Sequence, residues 1–126
     1  MMLRSCFAVL ALLFSSLAFA FDAPPLRAAH GVLVDQAGMT VYTYDKDAAG
    51  SGKSSCVDTC ARNWPPVKAP AGALPEPWSI VTREDGVVQL AHRGKPLYTF
   101  IKDKKAGDKA GDGVGKAWHV VEVPAR

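Results

Sequence analysis

The chain predicts an all-β fold with minor helix: two tandem β-rich repeats with pseudo-twofold internal symmetry in one compact domain. Three observations point there. Residues 38–47 read GMTVYTYDKD and residues 94–103 read GKPLYTFIKD, with Gly, Tyr, Thr, Lys and Asp recurring identically at an offset of fifty-six positions. A short apolar segment precedes each copy, and a loop ending in a tryptophan follows it, Trp64 in the first and Trp118 in the second. Glycines punctuate the apolar segments at hairpin spacing. Self-similarity at a fixed offset marks a repeated structural unit, and short apolar runs divided by glycine turns mark strands.

The elements follow in chain order. Residues 31–35 predict a strand, residues 36–38 (QAG) a turn, and residues 39–45 a second strand. Ser54 or Ser55 can cap a short helical turn that contains both Cys56 and Cys60, and Pro65-Pro66 ends it. In the second copy, residues 78–82 predict a strand and Glu84-Asp85-Gly86 a turn. Residues 87–92 then predict a strand, Arg93-Gly94 a turn, residues 96–101 a strand and residues 118–123 the last strand. Each turn carries Gly where a positive φ is needed. Repeat 1 is expected over about 30–67 and repeat 2 over about 86–123.

Side chains alternate across a strand. Tyr42 and Tyr44 therefore share one face, as do Tyr98 and Phe100, while Val41 and Thr43, like Leu97 and Thr99, take the other. Both faces carry apolar groups, which predicts central strands covered on both sides. Each buried tyrosine hydroxyl then needs a partner. Asp47 and Asp103 fall just beyond the strand ends, where a carboxylate accepts N–H groups of the following loop.

The N-terminus has the layout of a secretory signal: Arg4, an apolar run over residues 7–14, and Ala18-Phe19-Ala20. Cleavage is expected after Ala20, leaving residues 21–126 as a single mature domain, periplasmic or secreted. Cys6 precedes the apolar run rather than following it, so lipidation is not expected. The run is shorter than the ~20 residues that span a bilayer, and no transmembrane segment is expected in the mature chain. Without Arg4, fourteen Lys and Arg face twelve Asp and Glu. That balance, with no basic stripe interleaved by aromatics, speaks against a nucleic-acid partner.

Cys56 and Cys60 are an even pair in an exported chain, the usual setting of a disulfide. Four residues of regular helix place two Cα atoms about 6.2 Å apart, toward the long end of the disulfide range. A loop that small contributes only about 2 kcal/mol by chain entropy. The alternative is copper: Cys56-x-x-x-Cys60 has the spacing of exported thioredoxin-like copper chaperones, and His92 or His119 could complete a Cu(I) site. Ala61, however, stands where that class has proline, and the two-copy β pattern is not thioredoxin-like.

Other chemistry finds less support. The histidines are His30, His92 and His119, with no Gly-x-Ser-x-Gly elbow and no Ser/His/Asp set repeated in the two copies, so the sequence leans away from an enzyme. Asp103, Asp108 and Asp112 lie in a glycine-rich loop, but five lysines (Lys102, Lys104, Lys105, Lys109, Lys116) share it and disfavour calcium. The same lysines with Gly111, Gly113 and Gly115 form a weak anion-cradle pattern. The expectation is an exported, non-enzymatic binding or interaction protein for an envelope or extracellular ligand, without a cofactor. Copper-handling or thiol-redox use of Cys56 and Cys60 is the alternative.

Tyr42-x-Tyr44-x-x-Asp47 and Tyr98-x-Phe100-x-x-Asp103 both fit Tyr-x-(Phe/Trp/Tyr)-x-x-Asp. In this the chain resembles the bacterial secreted-repeat family known as predicted lipoproteins with the Y-x-(FWY)-x-x-D motif. Cys56 through Cys60 with Trp64-Pro65-Pro66, Asp85-Gly86, Gln89, residues 94–98, Gly107-Asp108, Gly111 and Trp118 also match its pattern. The resemblance covers nearly the whole mature chain. It implies an exported protein of no established general activity and supplies no catalytic residues. The absence of a cysteine directly after the signal departs from the lipid-anchored members.

Overall fold

A computed structural model describes residues 10–13 and 24–124. The expected cleavage point after Ala20, and Cys6, lie outside the described residues. Strands dominate: β1 (Arg27–Ala29), β2 (Val32–Val34), β3 (Tyr42–Tyr44), β4 (Trp78–Thr82), β5 (Val88–His92), β6 (Lys95–Pro96) and β7 (Trp118–Val120). One short helix, α1 (Thr59–Asn63), and a single 3₁₀ turn at Val114–Lys116 are the helical content of the described residues. The all-β class with minor helix is therefore correct.

Local chemistry sets the hairpins. β1 and β2 pair antiparallel across His30-Gly31, and β5 and β6 across Arg93-Gly94. Both turns put two successive residues at positive φ, 54° and 77° in the first, 51° and 78° in the second. This is the two-residue loop whose twist suits a hairpin. Gly94 has a second constraint, since a Cβ there would lie 2.6 Å from the backbone nitrogen of Gly50. β1 was not anticipated, because Arg27-Ala28-Ala29 has no apolar alternation; its pairing with β2 comes from the turn.

Three expectations need correction. The helix does not contain both cysteines: α1 starts at Thr59, after Asp58 at φ 52°, so Cys56 lies before it. Neither Ser54 nor Ser55 caps it: the helix begins after Asp58, the Ser54 hydroxyl lies against that of Tyr98, and the exposed Ser55 hydroxyl donates to Lys46 O. The long strands expected over 39–45 and 96–101 are shorter, continued by single bridges at Thr40 and Tyr98. Pro96 has no N–H to extend the ladder, and the chain on both sides of Tyr98 turns to a different partner.

The two copies exchange their closing segments. The stretch after Trp64 lies against repeat 2: Val67 N–H donates to Leu97 O at 2.9 Å, Leu90 N–H to Val67 O at 2.8 Å and Ala69 N–H to Val88 O at 3.0 Å. The stretch from Trp118 lies against repeat 1: β7 pairs antiparallel with β3, Leu33 N–H donates to Val121 O at 2.9 Å, and Val123 N–H to Gly31 O at 2.9 Å. At the centre Tyr42 N–H donates to Tyr98 O at 2.7 Å and Tyr98 N–H to Tyr42 O at 3.0 Å. Equivalent residues of the two copies thus bond each other reciprocally, and the local twofold axis passes between them.

The alternation of the central strands divides the interior into two cores. One face buries Tyr42, Tyr98, Phe100, Trp64, Trp118 and Cys56. The other buries Val41 and Leu97 with Leu33, Leu90 and Trp78. Apolar burial is the main force holding such a sheet, and aromatic packing at this density leaves little slack. Gly111 marks one tight point, since a Cβ there would sit 2.7 Å from Trp64 Cη2 and 2.9 Å from Tyr42 Cε1. Gly111→Ala is expected to lower unfolding stability by about 1–3 kcal/mol through overpacking, read as a lower urea midpoint at unchanged slope. An unaltered midpoint would mean that the loop shifts away freely.

Candidate functional site

The recurring motif residues converge on one interior centre, and they do so crosswise. Tyr42 of the first copy donates its hydroxyl to Asp103 Oδ2 of the second at 2.6 Å. Tyr98 of the second donates to Asp47 Oδ2 of the first at 2.5 Å. The remaining oxygen of each carboxylate accepts from its own following loop: Asp47 Oδ1 from Ser55 N–H at 2.6 Å, Asp103 Oδ1 from Ala110 N–H at 2.8 Å. Tyr42, Tyr98, Asp47 and Asp103 are all buried. A buried carboxylate is tolerated only when its lone pairs are met, and here a side chain from the other repeat and a backbone group from the same repeat meet them.

Tyr44 and Phe100, the third members of the motif, belong to an aromatic column. Its order is Tyr44, Trp118, Trp64, Phe100, with centroid separations of 4.2, 3.8 and 4.0 Å and near-parallel planes. Neighbours along the column alternate between repeats. Tyr42 meets Trp64 edge-on at 5.4 Å, and Tyr98 meets Trp118 edge-on at 5.1 Å.

A second polar chain backs this centre. Buried Arg83 donates from one terminal nitrogen to Ser54 Oγ at 2.7 Å and Gln89 Oε1 at 2.9 Å, and from the other to Cys56 O at 2.5 Å. Ser54 Oγ in turn lies 2.5 Å from the Tyr98 hydroxyl, and Gln89 donates to Leu97 O at 2.7 Å. Lys95 Nζ donates to the carbonyls of Tyr44 and Asp47 at 2.9 and 2.6 Å. Sequence reasoning missed Ser54 as a buried partner, and Arg83 and Lys95 altogether. Nothing local distinguishes them from surface residues, since their partners are 29 and about 50 positions away.

Burial, first, and then the bonds to Asp103 and Asp47 push the Tyr42 and Tyr98 hydroxyls well above the ordinary phenol range. Burial and then neighbouring Arg93 hold His92 below the ordinary imidazole value.

Of the remaining candidates, the cysteines border this centre and the histidines lie apart from it. Cys56 and Cys60 form a disulfide with Cα atoms 5.2 Å apart, closer than regular helix would place them because Cys56 precedes α1. His92 packs on the Trp78 ring at 4.7 Å. His119, exposed on β7, lies 2.8 Å from Asp45 Oδ2. Among the described residues no three His, Cys, Asp or Glu side chains converge as a metal site. In the lysine loop Asp103 turns inward, Asp108 Oδ2 accepts from Lys104 and Lys105 N–H, and Asp112 Oδ1 accepts from Val120 N–H.

Outside the centre the surface carries clefts. One of about 440 Å³ runs along the seam of the repeats, lined by Thr43, His92, Arg93, Val121 and Val123 among others. Its lining joins valines to Arg93 and Lys95 and to the carboxylate of Glu122.

A family model described as a secreted repeat of unknown function matches residues 27–68 and again residues 79–122. Searches of curated proteins and of solved structures found no match. No helix among the described residues is long and apolar enough to cross a membrane.

Tyr42→Phe or Tyr98→Phe leaves a buried carboxylate oxygen without its donor, and each is expected to cost about 1–3 kcal/mol of unfolding stability. If both variants keep the parental urea midpoint, the crossed bonds contribute nothing. The pH dependence has two limbs. Unfolded tyrosine releases its proton near pH ~10 while Tyr42 and Tyr98 retain theirs when folded, so stability falls as pH rises past that value. The unfolded His92 takes up a proton below about pH 6.5 while the folded one resists, so its contribution, present above that pH, is lost as pH falls. Denaturation midpoints recorded from acid to alkali check both signs, and His92→Gln should flatten the acid limb.

Proposed function

The chain belongs to the family of secreted repeats of unknown function, and from that premise we propose that it is an exported, non-enzymatic binding domain whose ligand is met at the repeat seam. The observation that carries this reading is the closure of the motif: its tyrosines and aspartates satisfy one another inside the protein. The chemistry repeated most faithfully in the sequence is thereby turned inward, and recognition of a ligand falls to the surface. The seam cleft suits it, with an apolar wall of Val121 and Val123 and donors at Thr43, His92 and Arg93. A few convergent polar groups on an apolar surface are what small-ligand sites share. The ligand class that fits is an apolar body with an anionic group met by Arg93 and kept clear of the Glu122 carboxylate that shares the cleft.

In this reading the signal is cleaved after Ala20, the mature chain carries no lipid, and the protein works in the periplasm or outside the cell, away from nucleic acid. The disulfide acts as a local clip behind the Arg83 network, to which Cys56 contributes its carbonyl. Copper or thiol-redox use of Cys56 and Cys60, with His92 or His119, would have to begin by opening that bond.

Two measurements test the proposal. Anilinonaphthalene sulfonate, an anionic probe with an apolar body, is expected to bind the native protein at the seam. Arg93→Asn should weaken that binding without moving the denaturation midpoint, because Asn tolerates the positive φ found at Arg93; equal binding by the variant would displace the site from the seam. Free thiols counted in the mature protein as isolated should be absent, with no stoichiometric Cu(I) uptake after reduction. Free thiols, together with Cu(I) binding abolished by Cys56→Ser, would transfer the function to metal handling.

A further inference from the structure

The aromatic centre has a geometry that ligand binding does not use. Trp64 and Trp118 overlap face to face, centroids 3.8 Å apart and planes within 1°. Both indoles are 5% exposed. Tyr44, half-buried, stacks on the outer face of Trp118, and Phe100 on that of Trp64. Each indole also touches one tyrosine edge-on, and each of those tyrosines already donates its hydroxyl to a carboxylate. The result is two copies of one ordered set, tryptophan, tyrosine, aspartate, joined through the stacked indoles.

We propose that this centre is a one-electron redox site, which accepts an oxidising equivalent from an outer-sphere one-electron oxidant and holds it as a neutral phenoxyl radical on Tyr98 or Tyr42. Electron loss without proton loss is easiest from the indoles among the rings of the column, and the overlap lets the pair share a positive hole. Tyr98 then passes one electron to Trp118. At the same time its O–H bond breaks, and the proton moves to Asp47 Oδ2, where a new O–H bond forms. The oxidant ends reduced by one electron, Trp118 is restored, Tyr98 is a neutral phenoxyl and Asp47 a carboxylic acid. Trp64, Tyr42 and Asp103 form the equivalent set.

The carboxylates decide where the hole stops. A hole left on the indoles, or on a phenol that keeps its proton, is a cation in a water-poor interior, which is disfavoured. A proton acceptor within hydrogen-bond reach removes that obstacle, and the separations are 2.5 and 2.6 Å. Simple deprotonation of either hydroxyl is resisted by burial, so proton and electron leave together. Phe100 has no hydroxyl and closes one end of the column, while half-buried Tyr44 gives the other end its approach to solvent. This site is independent of the seam cleft and does not rest on the binding reading.

The test uses the mature protein and a photogenerated ruthenium(III) polypyridyl complex as oxidant, with radicals trapped by rapid freezing and identified by electron paramagnetic resonance. The wild type is expected to give a neutral tyrosyl signal, retained in Tyr44→Phe. In the Tyr42→Phe/Tyr98→Phe double variant that signal should be lost and replaced by a tryptophan-centred one. Loss in Tyr44→Phe with retention in the double variant would overturn the proposal, as would a wild type that forms no tyrosyl radical. Should the double variant fail to fold, the Tyr44→Phe protein decides, because Tyr42 and Tyr98 are then its only tyrosines: a tyrosyl signal in it upholds the proposal and its absence overturns it. After refolding in deuterated solvent, the tyrosyl signal should rise severalfold more slowly, and an unchanged rise would exclude proton transfer to the aspartates.

Discussion

A carboxylate taken out of water has to be met by donors, and in this protein the donors for each motif aspartate come from both halves of the chain. Asp47 is held by Ser55 N–H beside it in sequence and by Tyr98 from the second copy; Asp103 is held by Ala110 N–H and by Tyr42 from the first. Neither copy can satisfy its own buried aspartate. Both carboxylates are met because the copies face each other across the axis between Tyr42 and Tyr98, where their backbones exchange hydrogen bonds. Partly satisfied buried networks are costly, while complete ones favour a unique packing, so the crossed bonds select this arrangement over others with similar apolar burial.

The rest of the fold follows from that crossing. Together with each tyrosine set against the opposite aspartate, the closing segments change sides, with Val67 and Ala69 against repeat 2 and Val121 and Val123 against repeat 1. The tryptophans that start those segments are thereby carried to the axis, where they stack between Tyr44 and Phe100. The disulfide lies behind the same centre, tied to it through Arg83, which bonds both Cys56 O and Ser54. The crossed hydrogen bonds and the stacked indoles thus share one cause. A column of overlapping rings flanked by hydrogen-bonded tyrosines is what the crossing builds.

Legibility in the sequence tracked the range of the interactions. The hairpin at Arg93-Gly94 could be read because a two-residue turn has a local composition. Strand β4 could be read at residues 78–82 because apolar residues were bounded by a clear turn. The two-faced burial of the central strands followed from alternation, and Tyr42 and Val41 do fall in different cores. The helix starts later than the local pattern suggests because Ser54 and Ser55 look like caps, whereas the Ser54 hydroxyl meets Tyr98 44 positions away and the Ser55 hydroxyl the carbonyl of Lys46. Strand β1 was missed because Arg27-Ala28-Ala29 pairs through a turn rather than through any pattern of its own.

The sequence by itself determined that one unit occurs twice, that its strands are central, and that tyrosines and aspartates recur at matched places. Those are properties of order along the chain, and repetition and period are visible there. Which copy's tyrosine meets which copy's aspartate was decided only by the tertiary structure, because each motif contains both a donor and an acceptor and would read the same whether paired within itself or across. The same holds for Arg83, whose burial depends on Ser54, Gln89 and Cys56 closing around it. It holds equally for the stacked tryptophans, whose contact exists only after the closing segments have changed places.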